Sequence, residues 1–239
     1  VRDLILAGFD SGRRAVAVVG PKGCYKSTVA RNLAHARGEA CELLSLHPDM
    51  AARDLLMTRG TRAESGDTIW VDTPLVRAAR RGTWVVVDGI DKLRPDALAS
   101  LALLLEQGVV CLPDGDTFRA RDGFRCLALG QPPRENSWPP EVRPMFHWIE
   151  AAPLPSHELR VVLRQMFPTL EDEILDQVLA LSVRLDAVTV DSVAEKESLQ
   201  LTMRKLKHIC RRAERRPGAL GHVIRHTLLT SFLPERERG

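Results

Sequence analysis

Gly20-Pro21-Lys22-Gly23-Cys24-Tyr25-Lys26-Ser27-Thr28 leaves the apolar run Ala15 to Gly20 and opens a stretch, Lys26 to Ala36, that reads as a helix. A strand feeding a helix through a glycine-rich turn is the setting that a G-x-x-x-x-G-K-[ST] phosphate loop needs. Successive backbone N–H groups there form an anion-binding nest at a helix N-terminus, where the dipole favours negative charge. In this reading Gly20 through Thr28 cradle phosphates, Lys26 reaches the β and γ groups and the Ser27 hydroxyl ligates Mg²⁺. Tyr25 stands where the pattern has its second glycine, so it either crowds the loop or changes its backbone angle. A glycine-rich turn can also be only a turn, and the stretch decides nothing alone.

Some sixty residues on, Val85-Val86-Val87-Asp88 supplies the second element. An apolar run ending in a carboxylate is the form of a Walker B strand, and it places Asp88 to hold Mg²⁺ or its water beside Ser27. A strand-end Asp is often a plain turn former, but after a phosphate loop the joint reading is nucleotide binding with Mg²⁺.

Working outward, short apolar runs at Ala15 to Gly20, Glu42 to Leu46, Thr83 to Asp88 and Arg125 to Gly130 alternate with helical stretches, the rhythm of a parallel sheet covered by helices. Two stretches carry hairpin chemistry: Thr61 to Val71 around Ser65-Gly66-Asp67, and Val109 to Ala120 around Pro113-Asp114-Gly115. Seven prolines between Pro132 and Pro155 break regular structure. Beyond them helices are predicted over 156–166, 171–185, 198–212 and 218–232. Thr169 and Ser192, each followed three places on by an acid, fit helix starts. The predicted fold is an α/β domain over 1–152 with two β-hairpin insertions, then a helical domain over 153–239.

Composition narrows the classes. A chain of 239 residues with 44% hydrophobic and 27% charged residues can bury a sizeable core and is neither disordered nor collagen-like. Its longest nearly apolar run, Ala97 to Leu105, is far short of the roughly 18 to 20 residues of a membrane span. Five cysteines stand singly, so they read as reduced, mostly buried thiols, and no protein-built zinc or iron site is expected. Such thiols point to an intracellular setting, and the opening Val1-Arg2-Asp3, without an apolar signal core, predicts no targeting peptide.

The order of phosphate loop, hairpin, Walker B strand, second hairpin and helical segment resembles the AAA+ ATPases of the helix-2-insert clade, which takes in dynein-related, midasin-like and MoxR-like modules. Asp72-Thr73-Pro74-Leu75-Val76, Val87-Asp88-Gly89-Ile90, Phe124-Arg125, Met145-Phe146-His147 and Ser231-Phe232-Leu233-Pro234 are similar to AAA+ modules of von Willebrand factor A domain-containing proteins. The resemblance covers nearly the whole chain. It implies a P-loop NTPase with a five-stranded parallel sheet sandwiched by helices, a C-terminal four-helix lid, and neighbouring AAA+ modules or subunits in a ring as partners. A von Willebrand factor A domain is a further implied partner.

The same resemblance implies roles, with departures. The Walker B glutamate that polarises the attacking water falls at Gly89, and losing a positioned base costs about two to four orders of magnitude in rate. Asp91 is a stand-in. Gln131 takes the sensor 1 position in place of Asn. The arginine-finger position is Met145, so either Arg143 substitutes or no finger exists, and Arg204 matches the sensor 2 arginine of the lid. Lys26, Asp88, Gln131 and Arg204 are thus the expected catalytic set, in a module that binds ATP and hydrolyses it slowly or not at all.

Two other readings compete. Between Met203 and Arg216 seven cations face the single acid Glu214, a net +6 that leaves the rest of a +3 chain at −3. A basic helix over 203–216 can be a nucleic-acid footprint. Its Met203, Leu206, Cys210 and Ala213 instead form the apolar stripe of a packed helix, and no aromatics interleave with the cations, so nucleic acid is not the expected partner. The third reading is a nucleotide-free interaction scaffold, in which Tyr25 blocks the loop.

Overall fold

The computed structural model describes residues 1–36, 38, 40–61, 66–132, 138, 140–188 and 200–228. The chain forms two compact units, Val1–Pro21 with Tyr25–Ala152 and Lys22–Cys24 with Pro153–Gly239.

The first unit contains the strands β1 (Ala15–Val19), β2 (Cys41–Ser45), β3 (Met57–Thr61), β4 (Thr68–Asp72), β5 (Trp84–Asp88), β6 (Val109–Cys111), β7 (Thr117–Arg119), β8 (Arg125–Gly130) and β9 (His147–Glu150). Its helices are α1 (Arg2–Asp10), α2 (Lys26–Ala36), α3 (Pro74–Arg81) and α4 (Pro95–Ala99). Five strands form one parallel sheet in the order β2-β5-β8-β1-β9. All of β1, the first four residues of β5 and the last five of β8 are buried, which is why these three read as continuous apolar runs. Phe124, Leu127 and Leu129 are among the largest fully buried side chains, and Phe9 meets Trp84 edge-on with ring centroids 4.8 Å apart.

From β1 the chain crosses by α2 to β2, and from β8 it passes to β9 on the other side of β1. Connections that leave adjacent strands in opposite directions open a crevice at the strands' C-terminal ends, the place where sheets of this kind bind ligands. The nucleotide motifs lie at that edge.

Both hairpins are antiparallel pairs. In the first, Met57 faces Asp72 and Thr61 faces Thr68, so pairing begins four residues before the predicted start at Thr61. Met-Thr-Arg-Gly-Thr buries only Met57 and gives no apolar run to detect. Part of its turn, 62–65 with the predicted turn residue Ser65, lies outside the described residues. In the second hairpin Val109 faces Arg119, and the Asp-Gly turn is closed by Leu112 N–H donating to Asp116 O at 2.8 Å.

One side chain of α3 ties the hairpins together. Arg80 Nε donates to Asp72 Oδ2 of the first at 2.8 Å, and its Nη2 donates to Asp116 Oδ2 of the second at 3.0 Å. Its guanidinium carbon also lies 4.1 Å from the Phe118 ring centroid. The three contacts are partly exposed, each worth at most about 1 kcal/mol. Arg80→Met is expected to lower unfolding free energy by about 1 to 2 kcal/mol in urea titration. Hydrogen exchange should quicken at Thr117–Arg119 and Thr68–Asp72 together, and quickening in one hairpin alone would refute the tie.

The second unit holds α5 (Ser156–Met166), α6 (Asp172–Asp186), α7 (Met203–Arg215) and α8 (Leu220–Leu228). The α6 N-cap is Glu171, not Thr169. α7 starts five residues later than predicted, because Thr202 is extended (φ −61°, ψ 158°) and caps it with its hydroxyl. Ser192, Glu195 and the predicted helical ends 198–199 and 229–232 lie outside the described residues, as does the family-like stretch from Ser231. α7 buries Met203, Leu206, Ile209, Cys210 and Ala213, while Arg211, Arg212, Arg215 and Arg216 are exposed. No helix among the described residues is long and apolar enough to cross a membrane.

The cysteines correct one expectation. Only Cys126 and Cys210 are buried, whereas Cys41 and Cys111 are exposed and Cys24 is intermediate. Burial pushes the Cys126 thiol up to about 12 and Cys210 up to about 11, so both stay protonated and inert at neutral pH. The edge positions of Cys41 on β2 and Cys111 on β6 explain the other two.

Candidate nucleotide site

The site is built where β1, β5 and β8 end. Gly20 N–H donates to Gly130 O at 3.1 Å, which pins the start of the loop to β8. Tyr25, the residue before α2, takes φ +64°, the left-handed region that glycine enters without strain and other residues at about 1 to 2 kcal/mol. Its carbonyl accepts from Thr28 N–H and Val29 N–H, both at 2.9 Å, and so forms the first turn of α2. Burial pushes its phenol up to about 12, so the ring carries no charge into the loop.

Lys26, the first residue of α2, folds back so that its ammonium donates to Gly20 O at 2.6 Å and Pro21 O at 2.8 Å. One residue on, Ser27 Oγ donates to Asp88 Oδ2 at 3.1 Å, joining the helix start to the end of β5. Two motifs sixty-one positions apart thus meet through a hydroxyl and a carboxylate.

The turn after β5 holds what the sequence did not disclose. Gly89 has φ +95° and precedes a 3-10 turn, Ile90–Lys92, in which Lys92 N–H donates to Gly89 O at 3.0 Å. That turn brings Asp91 against the end of β8, where its Oδ1 accepts Gln131 N–H at 2.9 Å and its Oδ2 accepts Gln131 Nε2 at 3.4 Å. Gly130 makes the approach possible, since a Cβ there would lie 2.7 Å from Ile90 Cγ1 and 2.9 Å from Asp91 Oδ1. The signal that could have exposed this pair is the register of β5 on β8, with Asp88 beside Leu129, which places the two following turns side by side.

Arg143 and Arg204 complete the expected set. Arg143, in the 3-10 turn before β9, donates from Nε to Trp138 O at 2.8 Å, while its own carbonyl accepts Trp148 Nε1 at 2.9 Å. Arg204 is exposed in the first turn of α7, in the second unit. Of the expected residues, those brought together within the first unit are Lys26, Ser27, Asp88, Asp91 and Gln131.

Among the described residues no group of three or more His, Cys, Asp or Glu could hold a metal ion. The chain does carry one H-x-x-x-H spacing, His222 to His226 on α8, with ring centroids 6.3 Å apart.

Comparison with known proteins bears on the family and the fold. The profile of the AAA domain, dynein-related subfamily, matches residues 15–146, from the start of β1 to Phe146. The chain is 32% identical over 251 residues to von Willebrand factor A domain-containing protein 8 of Mus musculus, covering 92% of this chain and 13% of that protein. It is 29% identical to protein NorQ of Paracoccus denitrificans, covering 63% of this chain and 57% of NorQ. The chain therefore spans a small part of the first relative and little more than half of the second. A crystal structure of a candidate ATPase from Cytophaga hutchinsonii superposes with a TM-score of 0.51 at 17% identity, covering 90% of this chain and 65% of that one, and shares the fold. The matched profile spans more than half of the sequence, and the chain belongs to the dynein-related subfamily of AAA domains.

Proposed function

We propose that this member of a nucleotide-binding ATPase family binds ATP with Mg²⁺, hydrolyses it slowly or not at all, and acts as a nucleotide-dependent structural or remodelling unit of a ring. The observation that carries the binding half is the Ser27 Oγ to Asp88 Oδ2 contact at 3.1 Å. A hydroxyl and a carboxylate form a small all-oxygen donor set, which suits Mg²⁺, a hard ion that takes few protein ligands and keeps waters and phosphate oxygens for the rest. Ser27 and Asp88 would hold it, and its charge would offset that of the β and γ phosphates.

Lys26 supplies the cation of the loop; within Gly20 through Thr28, Pro21 has no N–H and those of Gly20 and Thr28 are held by Gly130 O and Tyr25 O, so the backbone donors proposed for phosphate lie between Lys22 and Ser27. The slow-hydrolysis half rests on the turn after β5. Gly89 offers no base, and Asp91, the nearest carboxylate after it, has both oxygens on Gln131. Asp91 is then the group that orients Gln131. Arg204 enters as a nucleotide contact from the family resemblance alone, whereas the division into an α/β domain at 1–152 and a helical domain at 153–239 rests on the change of pattern along the sequence, and only the second domain's role as a lid comes from the resemblance. Bound nucleotide would stabilise such a module by mass action. Neighbouring AAA+ modules or subunits are its proposed partners, and the relative's name adds a von Willebrand factor A domain. An intracellular setting, cytoplasmic or mitochondrial, belongs to the same proposal.

Calorimetry with Mg-ATP tests it. One binding event per chain is expected, and absence of both heat and thermal shift would leave the scaffold reading. Ser27→Ala should weaken Mg-ATP binding by about tenfold or more, roughly one charge-assisted contact, while affinity for ATP in EDTA stays near the parent's. Equal losses with and without the ion would remove Ser27 from the metal site. Turnover at ordinary AAA+ rates, abolished by Lys26→Ala, would overturn the slow-hydrolysis half.

A further inference from the structure

The place left by the missing glutamate holds a different charge. At Gly89 the left-handed backbone (φ +95°) and the 3-10 turn that follows fold the chain back on itself. The Lys92 side chain then lies over the Gly89 Cα: a Cβ built there would be 3.1 Å from Cδ, Cε and Nζ of Lys92 alike. The two acids of this segment face elsewhere, Asp88 to Ser27 and Asp91 to Gln131. None of the ion pairs among the described residues uses Lys92. An exposed ammonium therefore stands where the side chain of residue 89 would begin, one residue beyond the Asp88 carboxylate.

We propose that Lys92 is a binding residue for the terminal phosphate of a nucleoside triphosphate, and that it gives the site a preference for triphosphate over diphosphate. The inference rests on the nucleotide-binding reading above. A carboxylate at position 89 repels a triphosphate while it handles water, whereas an ammonium attracts the extra charge and cannot take a proton from water. The exchange of an acid for a cation at one place thus converts a site for turnover into one for retention.

Titration calorimetry of the full chain with Mg-ATP and with Mg-ADP tests this on the parent, Lys92→Ala, Lys92→Arg and Arg94→Ala. Arg94 is a nearby exposed cation, 3.5 Å from Asp96, and controls for general surface charge. The parent is expected to favour ATP. Lys92→Ala should lose about tenfold of that ATP-to-ADP ratio, the scale of one charged contact, with ADP affinity held. Lys92→Arg should keep most of the ratio. The proposal is overturned by a parent without triphosphate preference, by an unchanged ratio in Lys92→Ala, or by an equal loss in Arg94→Ala. A parent that binds neither nucleotide overturns the underlying reading as well, so the two failures are distinct.

Discussion

Lys26→Ala is expected to lower Mg-ATP affinity by about a hundredfold or more while leaving the nucleotide-free melting temperature within about 3 °C of the parent's. The ammonium is held at the mouth of α2 by two backbone carbonyls, Gly20 O and Pro21 O, at 2.6 and 2.8 Å. Its position is thereby set before any phosphate arrives, and little ordering remains to be done on binding. With two of its three N–H donors on those carbonyls, the ammonium offers phosphate a single hydrogen bond, which from a charged donor contributes about 1.5 to 3 kcal/mol, and the upper part of that range accounts for the loss. The carbonyls released by the substitution lie at a partly buried loop and can turn to water, which keeps the folding cost small. Calorimetry on a variant with parental circular dichroism checks this, and undiminished affinity would take Lys26 out of the site.

Gly89→Glu carries the second large effect, and in the unexpected direction. Placing there the glutamate that the family resemblance implies ought to supply a base, yet the expected product is a less stable protein that turns over ATP no faster than the parent. A non-glycine residue at φ +95° costs about 1 to 3 kcal/mol. That corresponds to a fall of roughly 2 to 12 °C in melting temperature for a chain of this size. The new side chain would also emerge against Lys92, whose Nζ is 3.1 Å from the built Cβ, so its carboxylate would pair with an ammonium before it met a water. Gly89→Ala separates the two causes, because it bears the backbone strain without the charge. Parental stability together with vigorous hydrolysis in Gly89→Glu would show that the turn is not fixed in its left-handed form.

These two positions show what the sequence could and could not disclose. Lys26, Ser27 and Asp88 were legible because each belongs to a local pattern whose residue types follow from phosphate and Mg²⁺ chemistry. The central strands β1, β5 and β8 were legible because burial on both faces leaves an unbroken apolar run. β9 was not, since only Ile149 of its four residues is buried at the sheet edge. The Asp91–Gln131 pair escaped for another reason: it depends on inter-strand register and on the missing Cβ of Gly130, neither of which leaves a mark in a linear pattern. Lys92 was hidden in the same way. Its nearness to residue 89 comes from a backbone angle, and only the absence of the glutamate showed in the letters.

Arg80 constrains how this segment can change length. It lies in an eight-residue helix whose N-cap, Thr73, is fixed from both sides: its hydroxyl donates to Leu55 O at 2.8 Å and accepts from Val76 N–H at 3.4 Å. Inserting one residue between Thr73 and Arg80 would turn the guanidinium by about 100° around the helix axis and release Asp72 and Asp116 in a single event. An insertion within α3 therefore costs at least the whole tie, about 1 to 2 kcal/mol, which makes α3 the ruler of this half of the molecule.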